Sequence, residues 1–199
     1  MLTEQTPLIL SVCTGNVCRS PFMERMVRGI VEQAWGPGAV ASASAGTGAL
    51  VGAPMDPGSV AVLRAAGGDD SGFEARQLAK DHVAEAGLVL TAARAHRGPV
   101  VQLHPKALRY TFAVADFVDL ADSIPDDRLP RTDDAGTWLR EMVALVSARR
   151  GLVAQRDAAE ADIVDPFRRD EARFREMASQ LETLRPGLAR ALGAGRPTG

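Results

Sequence analysis

The segment LILSVCTGNVCRSPF at residues 8–22 constrains the fold most, because it joins two kinds of secondary structure over very few residues. Its first part, Leu8 to Cys13, is a short apolar run of the kind that forms a buried parallel strand. From Pro21 onward, apolar residues recur at helical spacing until Gly36. A loop framed by Cys13 and Arg19 must therefore connect a strand to a helix.

This loop has the composition of an oxyanion cradle. Backbone N–H groups at a helix N-terminus have no partner within the helix, and a curled loop turns them toward one anion. Gly15 and Asn16 tolerate the left-handed backbone angles of such a curl, and Arg19 can bind two phosphate oxygens at once. The predicted phosphate-binding residues are Thr14, Gly15, Asn16, Val17, Cys18, Arg19 and Ser20.

Cys13 lies where these amides and Arg19 favour a thiolate, which is the nucleophilic form of cysteine. Ser20 is placed to donate a hydroxyl hydrogen bond to this sulfur, which stabilises the thiolate and makes it a better leaving group. The pattern therefore predicts a cysteine nucleophile directed at phosphorus.

The remaining sequence alternates between strand and helix patterns. Further strands are predicted at about 39–45, 88–90 and 110–114, and helices near Val60 and Leu63, at 75–80 and along 174–188. This order predicts an α/β fold with a four-stranded parallel sheet, helices on both faces and the phosphate-binding loop after the first strand.

We predict that residues 1–199 form a single domain with an elaboration, because the chain is long for a minimal domain. Five aspartates outweigh two arginines between 121 and 134, which predicts a solvated loop. From Trp138 to Val146 helical spacing returns, and the glycine at 151 suits a helix end. These features predict a loop-plus-helix insert at about 117–160.

Composition excludes several classes of partner. No apolar run reaches the roughly 18 residues of a membrane helix, and a net charge of −2 offers no basic field for nucleic acid. The start MLTEQTPL lacks the features of a secretory signal, and two cysteines are too few for a disulfide framework, so we expect a cytoplasmic protein. Zinc is disfavoured because the three histidines are scattered, and we expect no metal and no cofactor. The oligomeric state is left open.

The loop resembles the signature of the low-molecular-weight protein tyrosine phosphatases, C-x-G-N-x-C-R-S, and matches it at every fixed position. The resemblance, strongest to the bacterial branch, implies hydrolysis of a phosphotyrosine protein or small aryl phosphate through a cysteinyl phosphate on Cys13. It also implies that Asp165, in a late D-P-aromatic motif, is the general acid and then the general base. Asp162 lacks the following proline and ring, so we expect it to be a surface charge.

The segment SAGTGALVGAPMDP at residues 44–57 resembles the stretch that lines the pocket mouth in this branch. The resemblance implies that Leu50 and Phe167 form walls of the substrate pocket, although an ordinary core position for Leu50 stays open. Many members have a histidine that supports the loop asparagine where this chain has Phe73. Ser44 is therefore expected to support Asn16 alone.

Three alternatives remain open at this point. By resemblance Cys18 forms a reversible disulfide with Cys13, but it also suits a small buried filler. An arsenate reductase that borrows a small thiol would share the fold and loop, although no cysteine follows Cys18 to relay a disulfide. A phosphate- or phosphopeptide-binding module that has lost catalysis would retain the cradle. The Asp165-Pro166 step favours hydrolysis.

Overall fold

A four-stranded, fully parallel sheet forms the centre of the molecule in a computed structural model that describes residues 6–196. The strand order is β2-β1-β3-β4, with β1 at Leu8–Cys13, β2 at Ala41–Gly46, β3 at Ala86–Thr91 and β4 at Thr111–Ala113. Helices cover both faces and the first loop follows β1, so the predicted fold class is confirmed.

The helices form two layers of unequal size. They are α1 (Arg19–Trp35), α2 (Pro57–Ala65), α3 (Lys80–Glu85), α4 (Arg97–Leu103), α5 (Val114–Asp122), α6 (Ala135–Ala148), α7 (Ala158–Ala161) and α8 (Glu171–Ala191). One face of the sheet packs through Ile9 and Leu88 against α1, α5, α6 and α8. The other face packs through Leu10 and Val89 against α3 and α4. Within 6–196, no helix combines the length and apolar character needed to cross a bilayer.

The strand register brings the carboxyl ends of three neighbouring strands together. Cys13 at the end of β1 lies opposite Gly46 at the end of β2, and Val12 pairs with Thr91 at the end of β3. Ligands of open parallel sheets bind outside these ends. The register therefore places the loop after β1 at the edge where a ligand site is expected.

The helix predicted at 75–80 is wrong. This stretch is extended, and Gln77 forms an isolated parallel bridge with Gly46. The backbone of Gly46 donates to Arg76 and accepts from Leu78, at 3.0 and 2.8 Å. These contacts satisfy the carbonyl of Arg76 and the amide of Leu78, which a helix would have to bond internally. Helix α3 therefore starts only at Lys80.

Helix α6 lies wholly within 117–160, the range predicted for the insert, and is anchored in the core. The ring of Trp138 packs edge-to-face on Trp35 with 5.7 Å between centroids, and its Nε1 donates to the carbonyl of Ala191 at 3.0 Å. The acidic loop before α6 lies at the carboxyl end of α8, where Asp126 pairs with Arg190. The acidic loop therefore lies far from Glu171, the first residue of α8. The boundaries of the insert, at about 117–160, stay a prediction.

We predict that Trp138→Ala lowers the free energy of unfolding by about 3–5 kcal/mol, because it removes a fully buried ring and leaves a cavity. Urea denaturation followed by circular dichroism measures the change. Leu152→Ala, at an exposed position after α6, is the control and should change stability by less than about 0.5 kcal/mol. A loss below about 1 kcal/mol for Trp138→Ala would contradict the packing described for α6.

Candidate active site

The loop between β1 and α1 is bonded from its outer side by the segment that follows β2. Four of its carbonyl groups accept backbone hydrogen bonds of 2.8–3.0 Å: Cys13 from Thr47, Thr14 from Gly48, Gly15 from Leu50 and Val17 from Asp56. Within 6–196, the amides of residues 14–18 have no acceptor. Because the carbonyls point outward, these amides are available to a central anion.

Backbone geometry restricts the residue type at two positions of the site, 16 and 46. Asn16 adopts a left-handed conformation with φ 54°, which asparagine tolerates better than most residues. A Cβ atom at Gly46 would lie only 2.4 Å from the carbonyl oxygen of Thr14. Glycine is therefore required at position 46 in the motif SAG.

Cys13 lies at the base of a small pocket above this loop, and its sulfur contacts Ser20. The Sγ atom of Cys13 is 2.9 Å from the Oγ of Ser20, and both residues are buried. The pocket has a volume of about 150 Å³, and Asp165, Leu50 and Phe167 line it together with the loop. The structure thus brings together the residues that the sequence predicted for nucleophile, acid and pocket wall.

Arg19 and Asp165 form an ion pair at the pocket. The Nη2 of Arg19 donates to the Oδ2 of Asp165 at 2.7 Å, and its Nη1 donates to the carbonyl of Ile163 at 3.3 Å. The Arg19 side chain is only 7% exposed, whereas that of Asp165 is 51% exposed. A bound phosphate would offer Arg19 a competing acceptor and release the more exposed partner, Asp165.

The segment that carries Asp165 is fixed to the end of β3. Ile163 donates its amide to the carbonyl of Ala92 at 2.8 Å, and Asp162 accepts from the amide of Arg94 at 2.7 Å. The expectation that Asp162 is a surface charge is wrong, because its carboxylate is partly buried in this contact. Asp162 helps to position the segment and does not line the pocket.

Leu50 and Phe167 form an exposed apolar rim. Their exposed fractions are 46% and 37%, which excludes an ordinary core position for Leu50. The guanidinium of Arg168 lies 5.1 Å from the centroid of the Phe167 ring, within reach of a cation–π interaction. The rim therefore presents two apolar side chains to a molecule entering the pocket, and a cation lies beside one of them.

Asn16 is supported by three groups, so the expectation that Ser44 supports it alone is wrong. Its Nδ2 donates to the Oγ of Ser20 and of Ser44, each at 2.9 Å, and its Oδ1 accepts from the amide of Arg76 at 2.8 Å. Ser44 in turn donates to Glu24 at 2.6 Å. Phe73 packs at the margin of the core and leaves the polar support to these residues.

His96 is a site residue that the sequence analysis missed. Its Nε2 lies 3.0 Å from the Oγ1 of Thr14 in the loop, and the residue is 8% exposed. Its Nδ1 is buried without a hydrogen-bond partner in the described chain. Burial, and then the charge of Arg19, lower the pKa of His96 below its usual value. The available signal was its position just after β3, whose end lies beside the loop.

The two cysteines differ in their surroundings. Both are free thiols, but burial, followed by the charge of Asp56, raises the pKa of Cys18 to about 12. Cys18 is therefore a thiol at neutral pH, and its disulfide with Cys13 stays a prediction. In the part of the chain that is described, no three His, Cys, Asp or Glu side chains are grouped as a metal site would require.

Comparison with known proteins agrees with this geometry. The family model described as "Low molecular weight phosphotyrosine protein phosphatase" matches residues 8–127. The chain is 37% identical over 116 residues to EpsP of Ralstonia nicotianae, covering 57% of this chain and 76% of EpsP. It is 35% identical over 114 residues to a protein-arginine-phosphatase of Geobacillus stearothermophilus, covering 57% and 73% of the two chains.

Among solved structures, the tyrosine phosphatase AmsI of Erwinia amylovora superposes on this chain with a TM-score of 0.66. The superposition covers 96% of both chains at 21% identity. At this identity the likeness concerns the fold alone, and it includes the carboxyl-terminal part of the chain, which the family model does not match.

We predict that His96→Gln flattens the pH dependence of stability. The pKa of His96 is lowered in the folded state, so the unfolded state binds more protons and wild type loses stability as pH falls through about 6.5. The contribution is at most about 1.4 kcal/mol per pH unit. Chemical denaturation between pH 5 and 8 measures it, with His104→Gln as the control. A curve for His96→Gln parallel to that of wild type would contradict the burial of an uncharged His96.

Proposed function

The chain belongs to the low molecular weight phosphotyrosine protein phosphatase family, and from this premise we propose that it hydrolyses phosphotyrosine in proteins, or small aryl phosphates. The observation that supports this most is the position of the Cys13 sulfur at the base of a loop whose amides find no acceptor among residues 6–196. Arg19 and Asp165 lie over the same pocket. The proposed route passes through a phosphoryl group on Cys13.

In the first step the Cys13 thiolate attacks phosphorus. The S–P bond forms while the bond from phosphorus to the leaving oxygen breaks, and Asp165 supplies a proton to that oxygen. The free amides of residues 14–18 and the guanidinium of Arg19 stabilise the negative charge of the transferring group.

In the second step water replaces the sulfur. Asp165, now a carboxylate, accepts a proton from a water molecule whose oxygen attacks phosphorus, and the S–P bond breaks. The electron pair returns to Cys13, where the hydroxyl of Ser20 at 2.9 Å stabilises the thiolate. Phosphate leaves and the enzyme is restored. This chemistry requires a reduced Cys13, so we propose a reducing compartment such as the cytoplasm.

The pocket rim supports an aromatic leaving group. Leu50 and Phe167 offer apolar surfaces on which a phenyl ring can pack, and Val17 adds a third inside the pocket. Phosphoarginine is the second candidate substrate, because the chain is similar to a protein-arginine-phosphatase at almost the same identity. A guanidinium gains less from an apolar wall than a phenyl ring does, so we favour phosphotyrosine.

We predict that the reduced protein hydrolyses a phosphotyrosine peptide, that vanadate competes, and that EDTA has no effect. Cys13→Ser should abolish turnover, and Asp165→Asn should lower kcat by about 10²–10⁴-fold because a phenolate needs a proton to leave. Asp162→Asn is the matched control, since an asparagine oxygen can still accept from Arg94, and should retain activity within a few fold. Phosphate release measures all four proteins.

Three outcomes would contradict the proposal in different ways. A higher kcat/KM for a phosphoarginine peptide would favour the second substrate. Binding of vanadate without turnover would favour a phosphate-binding module. Reduction of arsenate with an added small thiol, without phosphatase activity, would favour a reductase.

A further inference from the structure

A chain of hydrogen bonds runs from the nucleophile to a carboxylate on the opposite side of the loop. It links the Sγ of Cys13 to Ser20 at 2.9 Å, Ser20 to Asn16 at 2.9 Å, Asn16 to Ser44 at 2.9 Å and Ser44 to Glu24 at 2.6 Å. All five residues are buried. The chain crosses three elements, since Ser44 lies on β2 and Glu24 on α1.

Glu24 determines the direction of the bonds at the far end of this chain. An ionised carboxylate only accepts hydrogen bonds, so the hydroxyl of Ser44 must donate to the Oε2 of Glu24. The proton of Ser44 is then committed, and its oxygen accepts from the Nδ2 of Asn16. The amide of Arg76, which only donates, fixes the same orientation of Asn16 by binding its Oδ1 at 2.8 Å.

The same argument gives the donor and acceptor of the hydrogen bond between Ser20 and the Cys13 sulfur. Asn16 also donates through Nδ2 to the Oγ of Ser20, so Ser20 must direct its own proton elsewhere. Within 6–196, the Sγ of Cys13 is the one further polar atom within hydrogen-bond distance of that hydroxyl. Ser20 therefore donates to Cys13, which is the arrangement that stabilises a thiolate and disfavours a protonated thiol.

Arg28 and Arg25 both pair with the carboxylate of Glu24. The Nη2 of Arg28 lies 3.0 Å from Oε1, and the Nη1 of Arg25 lies 3.8 Å from the same oxygen. The Glu24 side chain is only 9% exposed, and a buried carboxylate needs such partners to offset its lost hydration. Without the carboxylate of Glu24 as acceptor, the proton of Ser44 would no longer be committed.

We propose that Glu24, paired with Arg28 and Arg25, is a positioning residue that helps to order this hydrogen-bond chain so that Ser20 donates to the Cys13 thiolate. The inference rests on the proposed function in one respect, namely that Cys13 is the nucleophile. It assigns a role in the reaction to a carboxylate that touches neither substrate nor sulfur.

The test measures the rate at which iodoacetamide alkylates Cys13 as a function of pH, with the modified residue located by peptide mass spectrometry. In Glu24→Gln we expect the midpoint of the profile to rise by about one pH unit, which is a tenfold loss of thiolate on its acidic side. Arg28→Gln should shift it in the same direction by less, because Arg25 remains. Glu32→Gln, at an exposed position on α1, is the matched control and should leave the profile unchanged.

A Glu24→Gln profile that superimposes on that of wild type, with the fold intact by circular dichroism, would overturn the inference. If Glu24→Gln does not fold, Arg28→Gln decides the question, because its side chain is 40% exposed. An unshifted profile for Arg28→Gln would then overturn it. Alkylation needs no substrate, so the two proposals can fail separately. A shifted Glu24→Gln profile in a protein whose wild type shows no turnover would reject the phosphatase activity alone. Turnover by wild type with an unshifted Glu24→Gln profile would reject this inference alone.

Discussion

The outward bonding of the loop carbonyls after β1 is the constraint on which the rest of the site depends. Residues 47–56 donate to four of these carbonyls, which leaves the loop amides free for one anion. Gly46 allows this contact, since a side chain there would collide with the carbonyl of Thr14. The parallel pairing of β1 with β2 places Gly46 opposite Cys13. The sheet register thus determines the geometry of the anion site.

Two ion pairs hold the site from opposite sides and differ in how readily their carboxylates can exchange partners. Arg19 and Asp165 meet at the pocket mouth, where the exposed carboxylate can exchange its partner for a bound phosphate. Glu24 and Arg28 meet behind the loop, where the carboxylate is buried and already accepts from Ser44. A buried pair is screened less by salt than an exposed one. The Arg19–Asp165 pair is suited to open during a reaction. The Glu24–Arg28 pair is suited to keep the direction of the hydrogen bonds behind the loop fixed.

The loop could be predicted from its own residue types, and Asp165, Leu50 and Phe167 through the family resemblance. Site residues that depend on tertiary contacts and carry no motif could not be predicted. The loop from Cys13 to Ser20 carries its geometry in its own residue types. Glu24 looks like an ordinary helical charge, and only its burial against β2 gives it a role. His96 follows a strand without any local motif, and its contact with Thr14 spans 82 residues. The stretch at 75–80 is extended because it pairs with Gly46. This pairing is also nonlocal, so the local sequence pattern alone predicts a helix there.

The most direct test of a covalent mechanism on Cys13 is to trap the phosphoryl group. The Asp165→Asn variant is mixed with dinitrophenyl phosphate, whose leaving group needs no proton, so the first step proceeds while attack by water is slowed. The protein is then denatured rapidly and its peptides are analysed by mass spectrometry. The account predicts one phosphoryl group on the peptide that contains Cys13, attached to sulfur. Release of dinitrophenolate with no phosphoryl group on Cys13, or with one on another side chain, would contradict it.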